Sequence, residues 1–314
     1  MLSEFELRAR MSSISETQKI TGAMYLIASN ELRRAKASFD KTAPYFDAIR
    51  TEVKRIFRSA GSIKSRYLYP PNGDHLLNGT YGILVITADK GLVGSYNMSV
   101  INEAEKALKE HPNSKLFVVG NYGKKYFAAK NIPIEDQFDF SAQQPTLHRA
   151  RKITSILLSR FNSGELAKLF VIYTHSKNDA VMSVRNERLL PFHHREFLTE
   201  AEMNAPHEAF RFHPSEEEAL EAVVPSYVCG YIYSALADSY LSEQRSRMTA
   251  METADRSARD MLEELNFEYS RLRQSEITRE ITEISAAARA QKEQRAERQN
   301  KGTLKNSSKG GEEF

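Results

Sequence analysis

The first sixty residues carry a regular apolar seam, which constrains the fold more than any other feature of the chain. Successive members alternate spacings of four and three residues without a miss. They are Leu7, Met11, Ile14, Gln18, Thr21, Tyr25, Ala28, Leu32, Ala35, Phe39, Thr42, Phe46, Ile49, Val53 and Ile56. A period of 3.5 is typical of helices that wind around a partner in a left-handed supercoil. The pattern predicts a helix roughly 75 Å long, which Pro44 is expected to bend or break locally.

The C-terminal part of the chain repeats this design. Its seam consists of Ala237, Leu241, Gln244, Met248, Met251, Asp255, Ala258, Leu262, Leu265, Tyr269 and Leu272. Residues 216–295 therefore predict a second helix on the order of 70 residues long. Helices of this length cannot bury their stripes inside a globular core. We therefore expect the two segments to form one antiparallel coiled coil.

Side-chain size suggests a register for this coiled coil. When large seam residues face small or flexible ones, the numbers of facing residues sum to about 276, so that Tyr25 meets Met251 and Thr21 meets Asp255. A shift of one heptad would instead bury the Asp255 carboxylate against the aliphatic Ile14. In the favoured register the C-terminal helix extends beyond the start of its partner.

The middle of the chain has a different pattern. Short apolar runs rich in β-branched and aromatic residues occupy 81–87, 115–120 and 168–174, and helical stretches are expected near 97–110, 121–130 and 146–162. Strands that alternate with helices are typical of a sheet covered by helices. Residues 181–191 alternate in polarity and predict an antiparallel edge strand. The fold class is thus α/β plus α, with a central Rossmann-like α/β domain between the two coiled-coil segments.

These patterns divide the chain into five parts. We expect an N-terminal coiled-coil helix at 1–60, a linker at 61–79, the α/β domain at 80–215 and a C-terminal helix at 216–295. The polar, Gly- and Ser-rich tail at 296–314 is expected to be disordered.

Composition excludes several classes of protein. The net charge of +3 is too small to argue for nucleic-acid binding, and Cys229 is the single cysteine, which excludes an internal disulfide. No apolar run approaches the roughly 20 residues that span a bilayer, and no secretory signal is expected at the N-terminus. The sequence predicts no direct membrane insertion.

No catalytic constellation is evident. The segment "ADKGLVGSYN" (88–97) follows a strand and enters a helix, as phosphate-binding turns do, but it lacks a dinucleotide fingerprint or a P-loop. A tight turn is the simpler interpretation. His193 and His194 are adjacent and would point to opposite faces of a strand, and His175, His207 and His213 are scattered, so a metal site is not expected. Cys229 is expected to be a buried small hydrophobe.

Two surfaces remain unexplained by packing. The cluster "ELRRAK" (31–36) is basic, and a solvated helix face can be basic without having a function. Beyond Leu272 the seam is replaced by an apolar stripe of Ile277, Ile281 and Ile284 next to hydrogen-bonding residues. A helix end of this composition is typical of a protein-binding segment.

Three segments carry a family resemblance that covers nearly the whole chain. They are "SISETQKITGAMYLIASNELRRAK", "ITADKGLVGSYN" and "SEQRSRMTAMETADRSARDMLEELNFEYSRLRQSEITREITEI". Together and in this order they resemble the signature regions of the gamma subunit of F-type ATP synthases. The resemblance implies a coiled-coil shaft with a Rossmann-like middle domain and no catalytic residue or cofactor.

The resemblance also implies a function and partners. Such a subunit is the rotor shaft inside a hexamer of alpha and beta subunits, and its rotation drives the three catalytic sites through different nucleotide affinities. Its foot binds the epsilon subunit and the c-subunit ring, whose proton-driven rotation it transmits. This implies a peripheral position on the cytoplasmic face of a bacterial inner membrane.

Site residues follow from the same resemblance. Arg273, Gln274 and Thr278 match polar residues that bond to catch loops of the catalytic subunits, and Glu283 matches an acidic residue just beyond them. The resemblance places Met24 near the acidic lever of the beta subunit, and Arg33 and Arg34 match a basic stretch of the shaft. A stand-alone coiled-coil adaptor and a nucleotide-binding Rossmann-type enzyme remain as alternative functions.

Overall fold

Two long helices and a small mixed sheet make up the computed structural model, which describes residues 3–59, 65–69, 79–178, 181–193 and 212–307. The elements follow the chain as α1 (Glu4–Ser59), β1 (Tyr81–Ile86), α2 (Tyr96–Glu110), β2 (Ser114–Val119), α3 (Asn121–Ala129), α4 (Leu147–Asn162), β3 (Lys168–Asn178), β4 (Val181–Leu190) and α5 (Glu216–Ser307). The chain divides into two compact units, residues 22–252 and residues 1–21 with 253–314.

The sheet of the larger unit has the strand order β2-β1-β3-β4. β1 pairs in parallel with β2 and with β3, and β4 pairs antiparallel with β3. The predicted antiparallel edge strand is therefore confirmed. Alternation along the strands sends Ile83 and Val85 to a core with α2 and α3, whereas Leu84 and Ile86 face a core with α4 and α5. Helices thus cover both faces of the sheet.

α1 and α5 run antiparallel within the larger unit. The Tyr240 hydroxyl donates to Glu31 at 3.0 Å, whereas the later residue Phe46 packs on the earlier residues Tyr233 and Gly230. A Cβ at Gly230 would lie 2.3 Å from Cδ1 of Phe46, so glycine permits this close approach. The residue numbers of Phe46 and Gly230 agree with the predicted register.

The smaller unit shows where the helix pair ends. The Arg8 guanidinium donates to the Tyr269 hydroxyl at 2.6 Å, and that hydroxyl donates to Glu4 at 3.0 Å. All seam positions of α1 from Leu7 to Ile56, and of α5 from Ala237 to Leu272, are buried or half-buried. Spacing alone therefore identified the packed face of each helix.

Three expectations about chain breaks and apolar runs were wrong. α1 continues through Pro44 without the expected break, because packing on both sides outweighs the one hydrogen bond that proline removes, while the expected bend stays a prediction. α5 continues to Ser307, since the Ala-, Glu-, Gln- and Arg-rich residues after 288 are good helix formers. Residues 296–307, which were expected to be disordered, are therefore helical. Residues 308–314 lie outside the described residues. By length and hydropathy, one stretch of α5 would also qualify as a bilayer span, although half of its most apolar window is buried in the protein.

Asp255, the charged residue of the α5 seam, pairs with Arg259 one turn away. Their closest atoms are 2.8 Å apart, and the Arg259 side chain is largely exposed. The expected contact between Asp255 and Thr21 stays a prediction; the hydroxyl of Thr21 donates to its own helix at Gln18 O.

Replacing Asp255 by leucine is expected to leave the free chain as stable or more stable. An exposed ion pair contributes at most about 1 kcal/mol, and a leucine at a seam position gains about as much from burial. Thermal unfolding of Asp255→Leu checks this, with Arg259→Ala as the control that removes the other partner. A clear drop in Tm for Asp255→Leu but not for Arg259→Ala would reveal a further partner of the carboxylate.

Candidate functional site

The loop between β1 and α2 is held in shape by the side chains of Asp89, in the loop, and Asn97, in the first turn of α2. The Asp89 carboxylate accepts from the backbone N–H of Asn121, at the start of α3, at 3.0 Å and from that of Ala142 at 3.3 Å. The Asn97 side chain accepts from the N–H of Ala88 at 2.9 Å. Asp89 thus lies at the N-terminus of α3, a position that favours an anion. The tight-turn interpretation of this loop therefore fits the geometry.

Two backbone oxygens of the same loop and the Tyr96 hydroxyl at the start of α2 bond to one polar stretch of α5, which we call the α5 clamp (residues 239–247). Ser246 donates to Val93 O at 2.6 Å, Arg247 donates to Gly91 O at 3.4 Å, and Tyr96 donates to Ser239 O at 3.1 Å. The loop thus fastens the sheet to α5.

A buried ion pair lies within the α5 clamp. Arg247 Nη1 is 2.7 Å from Glu243 Oε1, and the two side chains are only 12% and 4% exposed. The other oxygen of Glu243 is buried without a hydrogen-bond partner among the described residues. Burial raises the pKa of Glu243, although the neighbouring Arg247 lowers it and Asp89 raises it further. The sequence analysis did not predict this pair. The feature that could have indicated it is a group of four polar residues that recur on one side of the helix: Ser242, Glu243, Ser246 and Arg247.

The raised pKa of Glu243 predicts a pH dependence of stability. A carboxyl whose folded-state pKa is raised favours folding below its unfolded pKa, and that contribution is lost as pH rises through the folded pKa. We therefore expect Glu243→Gln to gain stability relative to the parent chain as pH rises from about 4 towards 7. Thermal unfolding across that range measures the gain. The exposed Glu110→Gln is the control, and parallel curves for Glu243→Gln and the parent would contradict the prediction.

A hydrogen bond between a histidine and a carboxyl group joins the sheet to α5. His175 Nδ1 lies 2.8 Å from Asp238 Oδ2. Burial raises the pKa of Asp238, and His175 opposes the shift. This pair bonds protein to protein, and no group of three or more metal-ligating side chains occurs in the described part of the chain. His194 and His207 lie outside the described residues. Cys229 is buried, and burial raises the pKa of its thiol, as expected for a core residue.

The end of α5 carries the predicted catch-loop residues. Every residue from Ile277 to Arg295 is exposed, and so are Arg273 and Gln274. The Thr278 hydroxyl donates to Gln274 O within the helix at 2.8 Å. At about 100° per residue, Arg273 and Thr278 border a face of roughly 140° that holds Gln274 and the three isoleucines, whereas Glu283 lies on another side.

The predicted shaft residues lie on α1 within the larger unit. Met24 is half-buried and lines a cavity of about 340 Å³ together with Ile27, Lys90 and residues of the α5 clamp. Arg33 is exposed, and Arg34 makes a long 3.4 Å contact with Glu31. The basic cluster is thus a solvated surface in the isolated chain.

Comparisons with known proteins identify the family. A family model described as ATP synthase matches residues 3–290. The ATP synthase gamma chain of Acetivibrio thermocellus is 35% identical over 292 residues, which cover 91% of this chain and 98% of that one. The chain belongs to the ATP synthase gamma-chain family. Another relative, 29% identical over 91% of this chain and 97% of its own length, is the sodium ion specific ATP synthase gamma chain of Acetobacterium woodii.

Solved structures share the fold of this gamma-chain family member. A chain from the Euglena gracilis mitochondrial ATP synthase, in a structure of OSCP/F1/c-ring, aligns with a TM-score of 0.60 at 14% identity and covers 90% of this chain and 93% of that one. A chain of the Tetrahymena thermophila central stalk/c-ring structure aligns with a TM-score of 0.52 at 22% identity and covers 75% and 99%. The family match does not favour the two alternatives, a coiled-coil adaptor and a nucleotide-binding enzyme.

Proposed function

We propose that the chain is the central rotor shaft of an F-type ATP synthase. In this role it couples proton-driven rotation of the c-subunit ring to conformational cycling of the catalytic beta subunits. The proposal rests on the exposed apolar stripe near the C-terminal end of α5. A gamma-chain family member that leaves an apolar stripe exposed from Ile277 to Ile284 has a surface built for enclosure by other subunits.

The finer architecture belongs to this proposal. We infer that α1 and α5 form an antiparallel coiled coil and that the sheet with its helices is a Rossmann-like domain. Two seams of period 3.5, antiparallel contacts such as Glu31 with Tyr240, and parallel β1, β2 and β3 support both inferences. The shaft is non-catalytic in this proposal, and it needs no cofactor.

Site residues are assigned within the same proposal. Arg273, Gln274 and Thr278 bond to catch loops of the catalytic subunits, and Glu283 lies just beyond them. On α1, Met24 contacts the acidic lever of the beta subunit, and Arg33 and Arg34 provide positive charge along the shaft. The epsilon subunit and the c-ring bind the foot, so that the chain lies peripherally on the cytoplasmic face of the bacterial membrane.

Reconstitution tests the proposal. The purified chain is mixed with alpha and beta subunits of the same source, and assembly is followed by gel filtration together with ATP hydrolysis. We expect a complex with one copy of the chain per hexamer, and no hydrolysis by the chain alone. Hydrolysis by the chain alone that survives removal of contaminating ATPase, or failure to join the hexamer, would overturn the rotor assignment.

A further inference from the structure

A cavity of about 450 Å³ lies where α4 meets both long helices. Tyr45 and Phe46 of α1 line it, Pro225 and Cys229 of α5 line it as well, and α4 supplies the remaining residues. All of them belong to the unit of residues 22–252. The volume is in the range of cavities that hold small molecules in proteins.

The α1 side of this cavity is aromatic. Phe46 packs on Tyr233 of α5 with ring centroids 5.4 Å apart, and the ring of Tyr45 meets that of Phe46 edge to face at 5.3 Å. Contact with α5 therefore fixes Phe46, whereas Tyr45 is 58% exposed and presents an aromatic surface to solvent. Leu147 and Leu158 of α4 add aliphatic groups to the lining. These side chains together provide contacts for an apolar body.

α4 contributes a row of polar side chains to the same cavity. Arg151, Ser155 and Ser159 follow one another at intervals of four residues, so they lie on one face of the helix over about two turns. The two serines are exposed, as are Asn162 at the end of α4 and Ser226 on α5, and all four side chains can donate or accept hydrogen bonds. A ligand in the cavity would thus meet both apolar and hydrogen-bonding groups.

Arg151 determines the charge of the cavity. It is the single charged residue among the described residues that line the cavity, and it forms no ion pair with any residue that the structure describes. A guanidinium with no carboxylate beside it attracts anions and can bind two oxygens of one acidic group at once. Charge complementarity therefore favours a ligand that carries a negative charge.

We propose that this cavity binds a small amphipathic anion. Its carboxylate or sulfonate bonds to Arg151, its polar edge follows Ser155 and Ser159, and its apolar body lies against Tyr45 and Phe46. The inference goes beyond the proposed function, because none of the residues assigned to the rotor contacts lines this cavity. A bound molecule would contact α1, α4 and α5 together, and it would stabilise their packing.

Two matched probes test the site in the free chain. Anilinonaphthalene sulfonate has an aromatic body, one N–H and a sulfonate, and phenylnaphthylamine has the same body and N–H without the sulfonate. Fluorescence titration should give a dissociation constant of about 10–100 µM for the sulfonate. Arg151→Gln should raise that constant about ten-fold, since a charge-assisted bond is lost, and should leave the value for the amine within about two-fold of the parent.

Two further variants place the bound probe in the cavity. Lys152→Gln removes the same charge from the next residue of α4, which is exposed and does not line the cavity, and it should leave the binding of the sulfonate unchanged. Ser155→Phe puts a bulky side chain into the cavity and should raise the dissociation constants of both probes about ten-fold or more. The replaced side chains are exposed, so each variant should unfold at the temperature of the parent.

Three results would overturn the proposal. Equal weakening of the sulfonate by Arg151→Gln and Lys152→Gln would mean that the overall charge of the surface attracts the anion. Unchanged binding of both probes to Ser155→Phe would place them elsewhere, for example on the exposed isoleucines near the end of α5. Binding of the sulfonate that Ser155→Phe weakens and Arg151→Gln does not would show that the cavity accepts apolar molecules without selecting an anion.

Discussion

Replacing Gly120 by alanine is expected to destabilise the unit of residues 22–252 by about 3 kcal/mol or more. Gly120 lies between β2 and α3 and has a φ of 95°. A Cβ there would lie 2.2 Å from Thr87 O and 2.8 Å from Ala88 O. Both are backbone atoms at the end of β1, and Thr87 N–H donates to Val119 O at 2.9 Å. The clash therefore cannot be relieved without disturbing the pairing of β1 with β2.

Gly164 provides a matched control for this prediction. Its φ is 80°, but a Cβ would meet nothing within 4 Å. Gly164→Ala should lower the free energy of unfolding by only about 1–2 kcal/mol, because alanine is unfavourable in left-handed backbone. Urea or thermal unfolding of the two variants isolates the steric contribution at Gly120. Equal losses for both variants would mean that the end of β1 moves freely.

The second large effect is expected at the exposed end of α5. Combined replacement of Arg273, Gln274 and Thr278 by alanine should weaken assembly or coupled turnover by roughly a thousand-fold, while the folding of the free chain is unchanged. A bond to a charged group contributes about 1.5–3 kcal/mol and a neutral one about 1. We therefore expect Arg273→Ala alone to account for the largest share. The three side chains are exposed, so the free chain loses no packing.

A control triple with the same chemistry lies on the opposite side of the helix. Ser275, Arg279 and Thr282 are also exposed, but about half a turn away from the isoleucine stripe. Alanine at these three positions should leave assembly and turnover close to those of the parent. Because Arg279 Nε lies 3.7 Å from Glu283 Oε1, Glu283→Ala is measured as well, to identify any loss that arises through that carboxylate. Thermal unfolding, hexamer assembly and ATP-driven turnover are measured for both triples. If the two triples behave alike, the helix end does not bind its surroundings through a specific face.

The positions of the helices and strands could be predicted because local patterns encode them. The 3.5-residue period selects one face of each long helix, and every residue of both seams is packed accordingly. The three apolar runs became β1, β2 and β3, since a buried parallel strand needs β-branched and aromatic residues on both faces. The end of the seam at Leu272 likewise marked where the partner helix begins.

The charge and polarity of a residue did not predict its burial where a segment distant in the sequence covers it. Glu243 and Arg247 belong to a stretch that would be solvated on an isolated helix. In the fold they are buried, because the loop at 88–97 docks on them from more than 140 residues away in sequence. The same docking anchors Gly91 and Val93 on either side of Leu92, whose φ of 60° lies in the left-handed region.

The sequence by itself determined the long helices, the seam that packs them and the strands of the sheet, because each depends on a repeat that neighbouring residues carry. Only the tertiary structure decided that α1 continues through Pro44, that Asp89 occupies the N-terminus of α3, and that a polar clamp holds the loop to α5. The continuity of α1 depends on packing around the helix, and the other two outcomes depend on hydrogen bonds between segments far apart in the chain. Such bonds form between single atoms at one geometry and leave no periodic trace in the sequence.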